Sequence, residues 1–502
     1  MILTAASVGP YLNAGKTILF FDSLILEKTP EATDVGLALL DLKRTLMFPG
    51  QELATLSFAI NHNINNALGF TGFHAPGFVV VNVALHVVNV WLLYVLLKAL
   101  VRVTRPNQPT ATWIPLAVTM LYAVHPIHVT TILDVVQRRG ILAGIFQTVG
   151  LLAYMRCRNG KGAKQRIIWA AVTATAFWLC MKSRSTGLAM PLILIALELV
   201  LQLAQPERFR RFLKWGSAAL ATCVLMMLIY MWKSQLFEPT TLSFRSPQTM
   251  NTEANWSGGL QAISQARAYP KYWSLLAMPR PADLCIDHAF PPVRRLTDGI
   301  AWVWVCLHVM IVSAAIYAAR RGLQLASFGI LFFYACQVPW LLLPHPLQVV
   351  EYRLYSAAVA PCLILLELFI HIERASWRGS SLALCAGVAA GLAPITWQRN
   401  QVFRSHVQIW QDVATKHPLR FRSEYNLANA LFRESRFEEA EAHYLAACKA
   451  DPNDHRPHYN LANALLKMGR NDEAAREYLE TLRRKPEHAG ARQGLAECKA
   501  DR

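Results

Sequence analysis

Charged and hydrogen-bonding residues stand in short clusters at the ends of long apolar runs in this sequence, and their types suit the binding of phosphate. Arginine is adapted to that task because its planar guanidinium can donate hydrogen bonds to two phosphate oxygens at once. Together the clusters predict a polar cavity for a substrate with an anionic head and a lipid tail. They are His125-Pro126-Ile127-His128, Asp134, Gln137-Arg138-Arg139, Lys182-Ser183-Arg184-Ser185, Asp287-His288 and Glu351-Tyr352-Arg353.

A second set of polar residues lies inside one apolar run. Asn82, His86 and Asn89 are spaced i, i+4 and i+7, so they share one face of a helix. Polar groups at membrane depth are costly unless they are hydrogen-bonded, so this face is predicted to point into a helical bundle. It either holds neighbouring helices together or contacts a substrate, and the sequence leaves both alternatives open.

The elements that must position these residues are predicted to be membrane-spanning helices. Of 502 residues, 54% are hydrophobic and only 16% are charged, against about 25% charged residues in an ordinary soluble domain. A helix needs about 20 apolar residues to cross a bilayer core. Residues 1–21 are interrupted by Gly9-Pro10 and Gly15-Lys16 and are predicted to be the end of a further span. An all-α, polytopic bundle of about ten to eleven spans is therefore predicted, with complete runs at 77–101, 112–131, 140–155, 167–182, 186–204, 214–233, 299–318, 324–343, 354–372 and 380–397.

The loops between these runs predict the orientation of the membrane domain, residues 1–398. Five short loops are rich in Lys and Arg, which is typical of cytoplasmic loops. The long segments 22–76 and 234–298 carry mixed charge and alternate with the basic loops, so they are predicted to be large outer loops. The same alternation predicts a multi-pass protein of the cytoplasmic (inner) membrane with its C-terminal tail on the non-cytoplasmic side. The five basic loops are 102–111, 156–166, 205–214, 320–321 and 374–378.

The formal net charge of +18 does not indicate nucleic-acid binding. From Arg399 to the C terminus the chain has 18 Lys and Arg against 15 Asp and Glu, so the tail is nearly neutral. The ten cysteines include no CxxC pair and no zinc-type spacing, so no metal site or disulfide framework is predicted. Cysteines in apolar runs are predicted to be buried free thiols. These are Cys180, Cys223, Cys306, Cys336, Cys362 and Cys385.

The tail contains an internal repeat of 34 residues. The sequence Asn-Leu-Ala-Asn-Ala-Leu at 426–431 recurs at 460–465, and Pro452 recurs as Pro486. This period predicts tetratricopeptide repeats, in which small residues let paired helices pack closely. Stacked repeats form a concave binding surface, so a partner protein is predicted, with a purely structural cap as the alternative. The predicted units are a connecting segment 399–420, repeats 421–454 and 455–488, and a partial repeat 489–502.

Several short motifs follow one another in a specific order along the chain. They are Phe21-Asp22-Ser23, 56–61 (Leu-Ser-Phe-Ala-Ile-Asn), Asn82…His86…Asn89, His125-Pro126, 136–139 (Val-Gln-Arg-Arg), Lys182…Pro191, Gln265-Ala266-Arg267…Tyr272, Asp287-His288 and 351–355 (Glu-Tyr-Arg-Leu-Tyr), and the repeats follow. In this order the chain resembles the bacterial relatives of the transmembrane and tetratricopeptide-repeat-containing protein O-mannosyltransferases. That family belongs to the GT-C superfamily of polyprenol-dependent glycosyltransferases. The resemblance extends over nearly the whole chain.

The resemblance implies a GT-C-like membrane enzyme that moves a mannose-like sugar from a polyprenyl-phosphate carrier to Ser or Thr hydroxyls of exported proteins at the outer face. It implies Asp22 as general base, because an acidic residue in the first outer loop has this role in the superfamily. Arg138 and Arg353 would face the donor phosphate. The lipid-linked sugar is a co-substrate, no cofactor is identified, and a need for divalent metal is left open. The other residues expected to bind the donor's phosphate or sugar are Gln137, Lys182, Asp287, His288 and Glu351.

The sequence departs from the family pattern at two positions. Ser23 stands where the family usually has a second Asp, and Ser183 follows Lys182 where the family usually has Glu or Gln. The alternative function is a catalytically degenerate membrane scaffold whose repeats recruit cell-envelope proteins, and these departures are the reason to keep it. A transporter is disfavoured, because the hydropathy pattern has no two-half symmetry.

Overall fold

The structure is a computed structural model that describes residues 1–12, 29–44, 50–70, 74–106, 113–203, 258–342, 347–374 and 380–500. Asp22, Ser23, Cys223 and the predicted span 214–233 lie outside the described residues. The chain divides into two compact units. The larger comprises residues 1–243, 256–284 and 290–401, and the smaller comprises residues 244–255, 285–289 and 402–502.

Every regular element in the described ranges is a helix, as the sequence predicts. The larger unit contains α1 (Ile2–Val8), α2 (Val35–Arg44), α3 (Glu52–Ala67), α4 (Ala75–Thr104), α5 (Trp113–Val124), α6 (Val129–Leu133), α7 (Arg138–Arg158), α8 (Ala163–Ser183), α9 (Ala189–Leu203), α10 (Gly258–Ala277), α11 (Gly299–Arg320), α12 (Gln324–Leu342), α13 (Leu354–Ala357), α14 (Val359–Arg374) and α15 (Ser380–Gln401). The smaller unit contains α16 (His406–Lys416), α17 (Phe421–Arg433), α18 (Phe437–Ala450), α19 (His455–Lys467), α20 (Asn471–Arg484) and α21 (Ala489–Ala500). Short 3-10 turns at Pro126–His128, Val135–Gln137, Ser185–Leu188 and Glu351–Arg353 carry many of the predicted polar residues.

Several helices are long and apolar enough to cross a membrane, so the chain is a multi-pass membrane protein. Within the described residues six segments qualify, or eight if each of two bent pairs is one span. The predicted run 167–182 is helical as α8 but is not among them, and the count of ten to eleven spans stays a prediction. The six are Ala75–Thr104, Val135–Arg158, Ser185–Leu203, Gly299–Arg320, Gln324–Leu341 and Ser381–Arg404.

The predicted runs 112–131 and 354–372 are the two bent pairs. The first bends by 48° between α5 and the segment Pro126–Leu133. Pro126 has no N–H for a helical hydrogen bond, and His125 before it is extended, with ψ 126°. The second pair bends by 42° after Ala357. Both bends bring clusters of polar residues into the bundle.

Two arginines at the ends of helices in the larger unit form ion pairs with glutamates of neighbouring helices. Arg105, just after α4, pairs with Glu367 of α14 and donates a hydrogen bond of 3.0 Å to the carbonyl of Gly322. Arg158, at the end of α7, pairs with Glu198 of α9 at 2.9 Å. Arg105 and Gly322 therefore lie next to each other, as predicted for residues of two loops on one side of a membrane. That this side is cytoplasmic stays a prediction.

Apolar side chains from several helices form the core of the larger unit, among them Leu97, Phe333 and Leu363, which are fully buried. Gly329 allows α12 to approach α14 closely, since a Cβ at this position would lie 2.8 Å from the carbonyl oxygen of Ala360. This close contact holds the helix that carries Trp340 against the core.

The cysteine prediction holds at four of the five described positions. Cys180, Cys336, Cys362 and Cys385 are buried free thiols, but Cys306 is exposed. Trp302 and Met310, four residues to either side of Cys306, are also 47% and 60% exposed. The prediction of a buried thiol at Cys306 is wrong because α11 turns this apolar face away from the bundle, where it can contact lipid.

The smaller unit contains the repeats, with α17 and α18 as the first helix pair and α19 and α20 as the second. Small and apolar residues are buried at equivalent positions of both pairs: Leu427 and Leu461, Ala428 and Ala462, Ala440 and Ala474, and Tyr444 and Tyr478. The preceding helix α16 packs on α17 and contributes Ile409, Trp410 and Val413 to the core. The repeats are thus extended at their N-terminal end by one further helix.

Candidate functional site

Arg138, the first residue of α7, is fully buried and hydrogen-bonded to four neutral acceptors. Its Nε donates to Asn82 Oδ1 of α4, and its Nη2 donates to Asn61 Oδ1 of α3, both at 2.7 Å. Its Nη1 and Nη2 also donate to the backbone carbonyls of Ser57 and Phe78, at 3.1 and 2.9 Å. Arg138 therefore joins three helices, and the fold itself uses most of its donors.

The predicted polar face of α4 is buried, and its three residues have two sets of partners. Asn82, besides accepting the arginine bond, donates to the carbonyl of Ile132 at 3.0 Å. His86 Nδ1 and Asn89 Nδ2 lie 2.9 and 3.2 Å from the hydroxyl of Tyr355. All three residues thus make hydrogen bonds between helices, as expected if this face holds neighbouring helices together. A contact of this face with substrate stays a prediction.

A pocket in the larger unit is lined by residues of α7, α8, α12 and the segments 184–189 and 351–357. Its lining contains two arginines and three aromatic residues, and no Asp or Glu occurs among the described residues that line it. The lining residues are Gly140, Ala143, Gln147, Cys180, Arg184, Thr186, Ala189, Cys336, Trp340, Tyr352, Arg353, Tyr355 and Ser356. The pocket is therefore positively charged.

Both arginines of the pocket lie against one indole ring. The guanidinium carbon of Arg353 is 4.2 Å from the centroid of the Trp340 ring, and that of Arg184 is 5.4 Å from it. Arg184 also lies 4.9 Å from the ring of Tyr352. The two side chains are 4% and 7% exposed. Such a pair of desolvated cations is suited to attract an anionic group.

Glu351 directly precedes the pocket residue Tyr352 and is fully buried. It accepts a hydrogen bond of 2.6 Å from the hydroxyl of Thr130 in α6, and its Oε2 is 3.4 Å from Nη2 of Arg399 in α15. These contacts fix the turn Glu351–Arg353 between two helices. Glu351 can therefore hold Arg353 in place through the backbone.

Gln137 and Lys182, which were predicted to bind the donor, are also fully buried. Gln137 Nε2 donates to Asp134 Oδ2 at 3.2 Å, within the same turn. Lys182 Nζ lies 3.6 Å from Glu52 Oε2 at the start of α3. Neither residue lines the pocket, and their roles in donor binding stay predictions.

Asp287 and His288 belong to the segment 285–289, which forms part of the smaller unit. The carboxylate of Asp287 lies 3.3 Å from Nε of Arg422 and 3.8 Å from Nη1 of Arg420, at the start of the first repeat. His288 is buried in the same segment. The observed ion pairs give Asp287 a structural role in the repeat unit, and a role of either residue in donor binding stays a prediction.

The sequence placed Arg184 in a polar cluster without giving it a role of its own, and it assigned no role to Trp340. A cation just after an apolar helix is ordinarily an interfacial residue, so Arg184 carried no distinct signal. Its place in the cluster with Lys182 was visible, but its meeting with Arg353 depends on the packing of distant helices. Among the described residues, no group of three or more His, Cys, Asp or Glu could hold a metal ion.

Two segments of the smaller unit match known repeat families. Residues 428–469 match the TPR repeat family, and residues 459–502 match the tetratricopeptide repeat family. The repeats predicted from the 34-residue period are confirmed.

The chain is also similar to curated O-mannosyl-transferases. Protein O-mannosyl-transferase TMTC4 of Homo sapiens is 24% identical over 426 residues, which cover 76% of this chain and 55% of the relative. Protein O-mannosyl-transferase TMTC4 of Mus musculus is 24% identical over 421 residues, with the same coverage. Protein O-mannosyl-transferase Tmtc3 of Drosophila melanogaster is 23% identical over 390 residues, which cover 67% of this chain and 40% of the relative.

This chain thus spans about half the length of the curated relatives it matches. The resemblance inferred from the ordered motifs is confirmed. The chain is similar to the transmembrane, repeat-containing O-mannosyl-transferases, and it combines a multi-pass helical bundle with tetratricopeptide repeats.

Proposed function

We propose that this chain is a membrane glycosyltransferase that moves a mannose-like sugar from a polyprenyl-phosphate carrier to Ser or Thr hydroxyls of exported proteins. The similarity to O-mannosyl-transferases over 426 residues carries the proposal. The cationic pocket inside an apolar bundle supports it, because a lipid-linked phosphate needs both a lipid environment and a positive charge.

The proposed chemistry needs one base and one anion site. Asp22 accepts the proton of the acceptor hydroxyl while the oxygen attacks the anomeric carbon of the sugar. The bond between that carbon and the phosphate oxygen breaks, and polyprenyl phosphate leaves with the electron pair. Arg353 stabilises the charge that develops on the leaving phosphate. Arg138 acts indirectly, by holding α3, α4 and α7 together around the site.

The transfer is proposed to occur on the non-cytoplasmic face, with the repeats on the same side. The warrant is the alternation of short basic loops with long segments of mixed charge. A single cysteine introduced as Asn251→Cys, in a variant without the native cysteines, should react with a membrane-impermeant reagent on intact cells. Reaction only after lysis would reverse the orientation.

The repeats are proposed to bind the protein acceptor or a partner that delivers it. Tetratricopeptide repeats build a core of their own and present a binding surface. Deletion of residues 421–502 should therefore abolish transfer to protein and leave binding of the lipid-linked donor intact. If the truncated protein modifies protein as well as the full chain does, the repeats are a structural cap.

The decisive experiment is a transfer assay with the purified full chain. Radiolabelled polyprenyl-phosphate sugars and cell-envelope proteins are supplied, and label on protein is measured. Label that appears on Ser or Thr with the wild type and not with Asp22→Asn is the expected result. If no sugar is transferred while envelope proteins still bind to the repeats, the chain is a scaffold instead.

A further inference from the structure

Arg184 is a buried cation whose charge is not compensated by a hydrogen-bonded anion. Within the described part of the chain, its side chain has no hydrogen-bond or ion-pair partner, and it lies against the ring faces of Trp340 and Tyr352. The charged groups that act on it electrostatically are Arg139 and Arg353, which repel it, and Asp134, which attracts it. Burying a charge without a partner is strongly unfavourable. The two ring faces offset part of this cost, and a bound anion would offset more of it.

Arg353 faces the same pocket and is positioned by neutral groups. Its Nη1 and Nη2 donate to the carbonyls of Gln348 and Leu347, at 3.2 and 3.0 Å. Its Nε has no hydrogen-bond partner within the described residues. The backbone thus fixes the side chain, while none of these contacts neutralises its charge. Two like charges therefore lie against one ring, that of Trp340.

The neighbouring helix leaves room for the Arg184 guanidinium. A Cβ at Gly140 of α7 would lie 2.9 Å from Nη1 of Arg184, too close for an ordinary contact. Any larger residue at this position would displace the guanidinium from its present place. The lack of a side chain at Gly140 is thus part of the pocket.

We propose that Arg184 and Arg353 together bind one phosphate group, that of the prenyl-phosphate donor, and that Arg184 is its principal ligand. This rests on the proposed function for the identity of the donor. The planar guanidinium of Arg184 can donate hydrogen bonds to two phosphate oxygens. Arg353, which also lies against the Trp340 ring, supplies a second positive charge. Arg138 is the weaker candidate for this role because four of its hydrogen bonds already go to neutral acceptors of the fold, and its predicted contact with the donor phosphate stays a prediction.

Thermal unfolding of the purified full chain in detergent separates a ligand-binding arginine from a structural one. Arg184→Gln removes an unpaired buried charge, so the ligand-free variant should unfold about 2–4 °C higher than the wild type. Farnesyl phosphate should raise the unfolding temperature of the wild type and not that of Arg184→Gln. Arg166→Gln is the matched control, because Arg166 donates a hydrogen bond to the carbonyl of Gly160 and belongs neither to the polar clusters nor to the pocket lining. It should retain the farnesyl phosphate shift.

Titration then measures affinity. Arg184→Gln should weaken binding of farnesyl phosphate by about 10- to 100-fold, the range for losing hydrogen bonds to a charged group. Arg184→Lys keeps the positive charge but not the planar guanidinium, so it should lose less affinity for farnesyl phosphate than Arg184→Gln does. Gly140→Ala keeps both charges and should also weaken binding. Farnesol, which lacks the phosphate, should not bind in this pocket.

Equal binding of farnesyl phosphate by the wild type and Arg184→Gln would overturn the proposal. So would a lower unfolding temperature for the ligand-free variant, because Arg184 would then be a structural cation. If inorganic phosphate or phosphatidylglycerol shifts the wild type and farnesyl phosphate does not, the assignment to a lipid-linked donor is wrong.

The transfer assay distinguishes this proposal from the proposed function. If the wild type transfers sugar and Arg184→Gln does so with an unchanged KM for the donor, the function stands and the site is wrong. If farnesyl phosphate binds through Arg184 but no lipid-linked sugar is transferred, the phosphate site stands and the proposed function is wrong.

Discussion

The two units of the chain differ in how their buried polar groups are hydrogen-bonded. In the repeat unit, polar contacts recur with the period of the sequence: the hydroxyl of Tyr444 donates to Asn429 at 2.8 Å, and that of Tyr478 donates to Asn463 at 2.6 Å. In the membrane unit, no such repetition is visible among the described residues. Its buried cations have individual surroundings, and Arg138 has four acceptors where Arg184 has none in the described ranges.

The surface of the repeat unit follows the same periodicity. Arg436 with Glu439 and Arg470 with Glu473 form equivalent pairs, each with a hydrogen bond of 2.7 Å. The hydrogen bonds from these arginines lower the pKa of Glu439 and of Glu473. The comparison shows that regular packing belongs to the repeat unit and the proposed chemistry to the membrane unit. The repeat unit uses the same stabilising contacts twice, whereas the membrane unit contains a destabilising buried charge, that of Arg184, where a ligand is proposed to bind.

The largest expected effect tests whether the chemistry lies in the membrane unit. Asp22→Asn preserves size and hydrogen bonding but cannot accept a proton as a carboxylate does. If Asp22 is the base, turnover in the transfer assay should fall by about 10²–10⁴-fold. Donor affinity should change little, because the phosphate is bound by arginine.

Asp34→Asn is the matched control in the same predicted outer loop. Asp34 Oδ1 accepts from the backbone N–H of Leu37 at 3.0 Å, a role that asparagine can also fill. Turnover of this variant should be near that of the wild type. If Asp22→Asn is as active as Asp34→Asn and nearly as active as the wild type, Asp22 is not the general base. Either another carboxylate then accepts the proton, or this chain does not catalyse the transfer.

The sequence predicted the periodic part of the fold well. The 34-residue period predicts the positions that are buried, because each repeat places the same residues at the same contacts. Long apolar runs predict membrane-spanning helices because a helix needs about 20 apolar residues to cross the bilayer core. They do not predict the bends at Pro126 and after Ala357. The pocket was only partly predictable. Arg353 was identified by its cluster, whereas the approach of Arg184 to Trp340 depends on packing between helices far apart in sequence.

The next effect contrasts the two buried arginines of the membrane unit. Arg138→Met should destabilise the membrane unit by about 3–5 kcal/mol, because it leaves buried acceptors on Asn61, Asn82 and two carbonyls unsatisfied. Thermal unfolding in detergent measures the loss, and Arg184→Gln, with the opposite expected sign, is the comparison. Equal destabilisation by both substitutions would remove the distinction between a structural and a ligand-binding arginine.

A smaller effect tests how closely the repeats correspond. Glu424 bonds His443 at 2.7 Å in the first repeat, and His458 bonds Glu477 at 2.7 Å at the same two positions of the second, with the residue types exchanged. His443→Glu should cost about 1 kcal/mol, since it sets two carboxylates opposite each other. Adding Glu424→His should recover most of this loss. Stability of the repeat unit, followed by hydrogen exchange, gives the coupling, and simple additivity of the two substitutions would contradict the prediction.

The smallest effect lies at the turn between the helices of each pair. Ser435 and Gly469 occupy equivalent positions and have φ values of 60° and 73°, in the left-handed region. In both turns the next residue's N–H bonds back across the helix end, from Arg436 to the Leu431 carbonyl and from Arg470 to the Leu465 carbonyl. Glycine adopts this conformation without strain, whereas serine does not. Ser435→Gly should therefore stabilise the first repeat by about 0.5–1 kcal/mol, and Gly469→Ser should destabilise the second by a similar amount. Hydrogen exchange of α17 and α19 measures both changes. If Ser435→Gly lowers protection of α17, the serine side chain contributes more to this turn than the backbone strain costs, and the two repeats are less alike than their dihedral angles indicate.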